Sequence, residues 1–539
     1  MMGTVLTLVR MRLRRDRVAL TVWVLGITAL VGGASSAVIT EFGDPDQQRQ
    51  LITLALTTPA LLAFRGVPNG FSSGSIIWFQ LFTWLAVLIG LLNTFLASRH
   101  GRAEEQDGRR ELLASTPMGR MTPIVSTLVV GIVVDVLIGI LSAAALVAVG
   151  ESIVGAVTVG ATFAVTGLLF LGIGLLAGEL LPTARAANSW GVGIVLGSYV
   201  VRAAGDALGT ADLAAGTLTP SWIGLLSPIG WAERTLALSA NRAVWLVPGL
   251  VCAVAAIGVA AMVGAKRDLG ASLVTERRGP ATASPSLHST LSLALRQQRG
   301  SVLGWALGAA VLGGVTGSLA TAIGSAAVQN SAISRVLRQL APGGDVSAQL
   351  VTVFTAAIMT MMGIVAAAAG VQAVLRTRAE ETEGRAELLL ALPVGRVRWM
   401  VQTVLIAIAG CAVVLLAAGL AAALSFGVRG NSAAGWRALQ QAAVEFPAAA
   451  AVAAVAGLAL STVPRWAIGI GWGALGLAAV LALFGGLLSL PSWLVDISPF
   501  AHVPAVPLRS ATALVVVATV GIVLVAATGV TARRREWTA

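Results

Sequence analysis

Two stretches concentrate the ionic chemistry of this chain: EEQDGRRELLASTPMGR at Glu104–Arg120 and EETEGRAELLLALPVGR at Glu380–Arg396. Glu105→Arg109 and Glu381→Arg385 stand at i, i+4, the order that favours a helical ion pair. A leucine pair follows in each copy, then Pro117 or Pro393, so each block is predicted as a short amphipathic helix stopped by its proline. The copies lie 276 residues apart and agree at ten of seventeen positions, among residue types that are otherwise scarce here. Either copy alone reads as a wet loop that sets topology. Topology, however, needs only arginines. Acids, glycine, leucines and proline kept in register twice point to paired docking helices for a two-fold partner.

The second set of polar residues lies inside apolar runs. Asp135 interrupts VVGIVVDVLIGI, and an ionisable residue at that depth is a functional candidate. Its counterpart in the repeat, Cys411, cannot ionise in the same way, so a bond to a neighbouring helix explains Asp135 equally well. Gln80 and Asn93, with Phe79 and Phe82, could line a path for greasy substrates, while Trp78 and Trp84 suit a lipid-facing belt. Glu179 and Arg202 stand near run ends, where they can snorkel. Cys252 and Cys411 fall within apolar runs and read as small hydrophobes. His100, His288 and His502 are far apart and no HExxH motif occurs, so no metal site is expected.

The elements that must carry these residues are membrane helices. The chain has 539 residues, 57% of them hydrophobic, and a mean hydropathy of +0.87. Apolar runs of about 20 residues recur throughout, the length that spans a bilayer as a helix. They lack the alternation of a transmembrane β-barrel. The net charge is +12, carried by arginine except for Lys266. Its placement between apolar runs makes it a topology signal and not a nucleic-acid surface. The N-terminus resembles a signal peptide, but the same pattern returns mid-chain, which argues against cleavage.

The expected architecture is all-α and polytopic, with about twelve spans. They fall at roughly 18–40, 76–98, 122–148, 153–181, 186–204 and 244–264, then 301–324, 351–375, 400–426, 446–463, 467–490 and 509–531. Arginine-rich segments alternate with poorer ones so as to put both termini in the cytoplasm. Other landmarks repeat as well: RRDRVALTVW with RQQRGSVLGW, Pro182 with Pro464, and SPIGW at Ser227 with SPF at Ser498. Two six-span halves, 1–265 and 290–539, should therefore share one orientation, joined by a polar linker at 266–289. TLVRMRLRRDR and TLSLALRQQRG, before the first and seventh spans, suit helices lying in the headgroup layer.

Taken together, these features resemble an ABC-transporter permease. The likeness is to the fused two-half exporters of the ABC-2 (type V) class, close to actinobacterial drug and polyether-antibiotic efflux permeases of tetronasin type. It covers the whole chain and rests on the two six-span sets, an elbow segment before each, and the duplicated charged block. It implies that Glu104, Glu105, Arg109 and Glu111, with Glu380, Glu381, Arg385 and Glu387, form coupling helices seated on an ATPase, with a substrate path between the halves. The chain has no P-loop, since its one lysine sits in VGAKRD. ATP and magnesium would then belong to a separate ATPase subunit, two copies per permease chain. This chain would be no enzyme and would bind no cofactor; its own contacts would be lipid and hydrophobic small molecules, with no nucleic acid. The alternative is a proton-coupled drug transporter of the major-facilitator type, whose loop after the second span also carries an acid-x-x-Gly-Arg-Arg pattern, as in GRAEEQDGRR at Gly101–Arg110. The second copy fits that pattern less well, with Thr377 and Ala386 at the positions of Gly101 and Arg110. A lipid-linked glycosyltransferase would need clustered acids or histidines that the chain lacks.

Overall fold

The computed structural model describes residues 2–116, 118–275, 281–282, 284–285, 287, 289–329, 346–382, 384–391, 394–484, 490–508 and 510–535. Pro117, Pro393 and His288 lie outside these. The chain forms two compact units, Met1–Gly279 and Pro280–Ala539.

In the first unit the long helices are α1 (Met2–Glu41), α4 (Ser73–His100), α7 (Thr122–Ala148), α8 (Ile153–Leu180), α9 (Ala184–Ala207) and α11 (Leu246–Lys266). Between α1 and α4, where the sequence suggests a plain outer loop, two short helices form: α2 (Pro45–Thr57) and α3 (Pro59–Arg65). Each starts on a proline, whose fixed φ suits a first helical position. The charged block folds as α5 (Arg102–Gln106) and α6 (Arg109–Ala114), and the segment after α9 as a small hairpin, Thr210–Asp212 with Thr217–Thr219, then α10 (Pro228–Glu233).

The second unit repeats the plan with α12 (Thr290–Gln329), α13 (Val346–Thr382), α14 (Arg385–Leu390), α15 (Arg396–Gly427), α16 (Ser432–Val444), α17 (Phe446–Thr462), α18 (Ala467–Phe484), α19 (Ser492–Val495) and α20 (Thr512–Arg534). Packing order is preserved. The first long helix lies on the third (α1 on α7; α12 on α15), and the fourth packs on the second and the sixth (α8 on α4 and α11; α17 on α13 and α20). Serines matched in the sequence do the same job. Ser227 Oγ donates to Ser198 O on α9 at 2.6 Å, and Ser498 Oγ to Ala478 O on α18 at 2.8 Å.

Small residues set the closest approaches. A Cβ on Gly139 of α7 would stand 2.7 Å from Gly160 O of α8, so only glycine lets these backbones touch there.

Ten described helices are long and apolar enough to cross a membrane, five in each unit. The two expected spans outside that set are the fifth of each half. Helix α9 has the length but carries Arg185, Arg202 and Asp206, whereas α18 is apolar but short. The elbow segments are also not separate. Residues 7–17 run into the first span without a break, as part of one 40-residue helix about 60 Å long, and α12 behaves alike.

Candidate functional site

The charged block of the first unit is divided in two by Gly108, whose φ of 71° lies in the left-handed region and ends α5. This break replaces the expected continuous helix, so the Glu105–Arg109 pair does not form. The chain turns at Gly108 and Arg109 reaches Asp107 instead, at 3.7 Å. Gly384, with φ 73°, breaks the second copy at the matching position.

The turn sends the paired glutamates inward. Glu104 is buried and accepts Arg12 Nη2 at 2.6 Å and Arg15 Nη1 at 2.7 Å, both from α1. Arg12, with no exposed surface, also donates to His100 O (2.6 Å), Pro123 O (2.9 Å), Ser126 Oγ (2.6 Å) and Thr127 Oγ1 (2.8 Å). One guanidinium thereby joins α1, α4, α5 and α7, which its planar fork of donors allows. Asp16, one turn on, takes Arg99 Nη2 at 2.6 Å and lies 2.7 Å from His100 Nε2.

Glu105 faces the other way within the same unit. It pairs with Arg102 (3.0 Å), Arg110 (3.2 Å) and Arg267 (2.8 Å), and accepts Gly270 N at 2.6 Å. Arg267 also donates to Glu179 at 2.8 Å, tying the ends of α8 and α11 to α5. Burial opposes the charge of Glu105, but these donors outweigh it and hold the carboxyl below its ordinary range; burial likewise opposes the charge of Arg267, and the Glu105 and Glu179 carboxylates outweigh it and hold the guanidinium above its ordinary range.

The second unit reproduces part of this arrangement. Glu381 is gripped by Arg535 and lies 3.2 Å from Arg378, the counterpart of Arg102. Glu380 instead pairs locally, with Arg385 at 2.6 Å and Arg376 at 3.9 Å. The reason is legible in the register set by Trp23 and Trp305. Arg12, Arg15 and Asp16 correspond to Ala294, Gln297 and Gln298, so α12 offers no arginine to Glu380. Gln298 Nε2 donates to Ala373 O at 3.0 Å and Arg376 to Gln297 O at 2.7 Å, which joins the helices by neutral acceptors.

The eight residues singled out in the two blocks therefore separate by position. The glutamate pairs are turned toward the chain's own arginines. Arg109 and Glu111, and in the second copy Arg385 and Glu387, are exposed, as is Leu112 at 74%. The first copy thus presents an arginine, an acid and Leu112, and the second an arginine and an acid, each on a short helix braced from behind.

Of the residues proposed for a substrate path, Phe79, Phe82, Asn93 and Asp135 are buried and Gln80 is half-buried. Phe79 and Phe82 belong to the unit's apolar core, and Trp78, expected on a lipid belt, is buried and stacked on Phe82 with ring centroids 4.3 Å apart. Trp84 is 39% exposed. Asn93 and Asp135 do meet: Asn93 Nδ2 donates to Asp135 Oδ1 at 2.8 Å, and Gly167 leaves room for the carboxylate.

Three polar sites escaped sequence reasoning. In the sequence Arg12 is one arginine among many before the span, and only its bonds to three neighbouring helices set it apart. Arg202, read as a snorkelling residue, is fully buried with Asp206 (2.9 Å) and Glu233 (3.4 Å), and donates to Ala63 O (2.8 Å) at the C-terminus of α3. Burial and the neighbouring Glu233 charge push Asp206 up to about 9. Glu445, the single acid in QQAAVEFPAAAA, is the third: it stands within an apolar stretch of the second unit and is fully buried.

Residues 287–534 match the family described as the multidrug efflux system permease Rv1217c, C-terminal domain. Over 507 residues the chain is 33% identical to the multidrug efflux system permease protein Rv1217c of Mycobacterium tuberculosis (strain ATCC 25618 / H37Rv), covering 93% of this chain and 89% of that protein.

Proposed function

Because the chain belongs to the family of multidrug efflux permeases, we propose that it is the membrane subunit of an ATP-driven exporter of the ABC-2 type. It moves hydrophobic or amphipathic compounds, drugs and antibiotics among them, out of the cell by alternating access. A separate ATPase subunit, two copies to one permease chain, holds ATP and magnesium and supplies the energy. The chain lies in the cell membrane with both termini in the cytoplasm, and its halves are 1–265 and 290–539, joined by 266–289.

The observation that supports coupling to a two-fold partner is the matched pair of braced short helices. Each unit carries a left-handed glycine, an inward glutamate held by the arginine that follows its sixth long helix, and an outward Arg-x-Glu. In this reading Arg109, Glu111 and Leu112, with Arg385 and Glu387, meet the ATPase. Glu104, Glu105, Glu380 and Glu381 pass its movement to the helix bundles. A two-state bundle responds only to a partner that binds its states unequally, and a helix tied by ion pairs to several others can carry that bias.

The test is co-purification with a P-loop ATPase encoded beside it, followed by drug uptake into inside-out vesicles. Uptake should require ATP hydrolysis. Uptake driven by a proton gradient without any ATPase would overturn the proposal and favour the secondary transporter.

A further inference from the structure

The arginines of α1 that precede its apolar run divide by the way they face. Arg12 is fully buried and Arg15 reaches Glu104. Arg10, Arg14 and Arg17 are exposed, and among the described residues their side chains have no ion-pair or hydrogen-bond partner. Asp16, the acid of this segment, is buried and engaged by Arg99 and His100. In the register that aligns Trp23 with Trp305, Arg14 and Arg17 fall on Arg296 and Arg299 of α12, which are likewise exposed and, among the described residues, unpaired. Arg10, Arg12 and Arg15 fall on Ser292, Ala294 and Gln297. The inward arginines thus belong to the first unit alone, while the outward pair stands in both.

Spacing decides what that pair adjoins. Arg14, Arg17, Thr21 and Leu25 stand at i, i+3, i+7 and i+11, along one stripe of the helix, and Arg296, Arg299, Leu303 and Leu307 do the same. Both stripes are exposed throughout, Leu25 at 56%, Leu303 at 65% and Leu307 at 69%. The uncharged run from Val18 to Thr40 rises about 35 Å, enough to cross the hydrocarbon of a bilayer. Arg14 and Arg17 therefore stand at its border, in the headgroup layer, with Leu25 among the acyl chains. A topology signal needs arginines but no particular helix face, and Arg376, Arg378, Arg396 and Arg398 already supply one in the second unit.

We propose that each stripe binds an anionic phospholipid. Its phosphate lies between the guanidiniums of Arg14 and Arg17 in the first unit, and of Arg296 and Arg299 in the second. Its acyl chains follow the apolar continuation of the same stripe. Arginines at i, i+3 are neighbours on a helix surface, and their forked donors match phosphate oxygens. A zwitterionic lipid carries its own cation into the site and gains less. Inorganic phosphate has no chains to lay on Leu25, Leu303 or Leu307. In the first unit the lipid grips the outer face of the helix whose inner face, through Arg12 and Arg15, holds Glu104. The inference rests on the membrane character of the chain and not on what it transports.

The test titrates the full chain, purified in detergent and freed of lipid, with phosphatidylglycerol or with phosphatidylcholine of the same acyl chains, and reads binding by native mass spectrometry. The wild type should bind phosphatidylglycerol tighter by about tenfold or more, since each basic side chain near an anionic headgroup adds a comparable increment. Absence of that preference overturns the proposal without any variant. Arg14→Gln with Arg17→Gln, and Arg296→Gln with Arg299→Gln, should each remove one tight site. The four changes together should abolish the preference and leave the unfolding midpoint of the lipid-free protein in place, because no bond is lost. Arg185→Gln with Arg465→Gln, exposed arginines after the fourth long helices, removes as much charge as either pair and should leave the preference intact. Equal loss in that control would reduce the effect to net charge and overturn the two sites. Displacement of phosphatidylglycerol by millimolar inorganic phosphate would overturn the lipid as occupant.

Discussion

Arg535, the first residue past α20, clamps Glu381 with both terminal nitrogens, at 3.0 and 2.7 Å. Arg267, the first residue past α11, holds Glu105 at 2.8 Å. In each unit the end of the sixth long helix is thus fastened to the loop after the second. Removing one partner of a buried pair leaves an uncompensated charge, which costs about 3–5 kcal/mol. Arg535→Ala and Arg267→Ala should therefore each lower thermal stability. In a double-mutant cycle, adding Glu381→Gln to Arg535→Ala should recover part of the loss. Full additivity in the unfolding midpoints would show the pair to be uncoupled.

Arg12 should tolerate no replacement. Lysine keeps the charge but cannot serve Glu104, the His100 and Pro123 carbonyls and two hydroxyls at once. Arg12→Lys should lose much of what Arg12→Ala loses, a destabilisation of about 3 kcal/mol or more, read by heat-induced unfolding in detergent. The corresponding Ala294→Arg change in α12 should be nearly neutral by comparison. Equal stability of Arg12→Lys and wild type would contradict the network.

The two faces of the charged blocks should separate in function. Arg109→Glu with Glu387→Lys should abolish co-purification of the ATPase and cut drug export by about tenfold or more, while the unfolding midpoint stays put. Glu105→Gln with Glu381→Gln should lower folded yield before it lowers export per folded molecule. If the outward pair can be reversed with export intact, the docking surface lies elsewhere.

Stability should respond to alkaline pH through Asp206. Its carboxyl is raised from about 3.9 to about 9, chiefly by burial and then by the Glu233 charge. The native state therefore holds a proton that the unfolded chain releases. That contribution is complete below the ordinary carboxylate range and is lost as pH rises toward and through about 9. The unfolding temperature should fall from pH 6 to 9 in the wild type, and Asp206→Asn, neutral throughout, should flatten the curve. A variant that declines as steeply as the wild type would exclude this group.

The membrane character, the helical class, the duplication and its register were all legible in the sequence. Hydrocarbon demands that backbone polar groups be satisfied within the segment, so apolar length alone dictates helices. Rare residues repeated in phase reveal two equivalent units. The fifth helices were harder because α9 hides its arginine and acid inside the unit, which hydropathy counts as exposed charge.

What only the tertiary structure decided is which way each charge points. Glu105 meets Arg267 across 162 residues and Glu104 meets Arg12 across 92, whereas local spacing offered Arg109 as partner. The left-handed turn at Gly108 removes that local pair, and the distant arginines take its place. Likewise the letter E at 445 says nothing of its burial. That depends on Thr360 and Gly363, which arrive from α13 to bond one carboxyl oxygen and to leave room for the other.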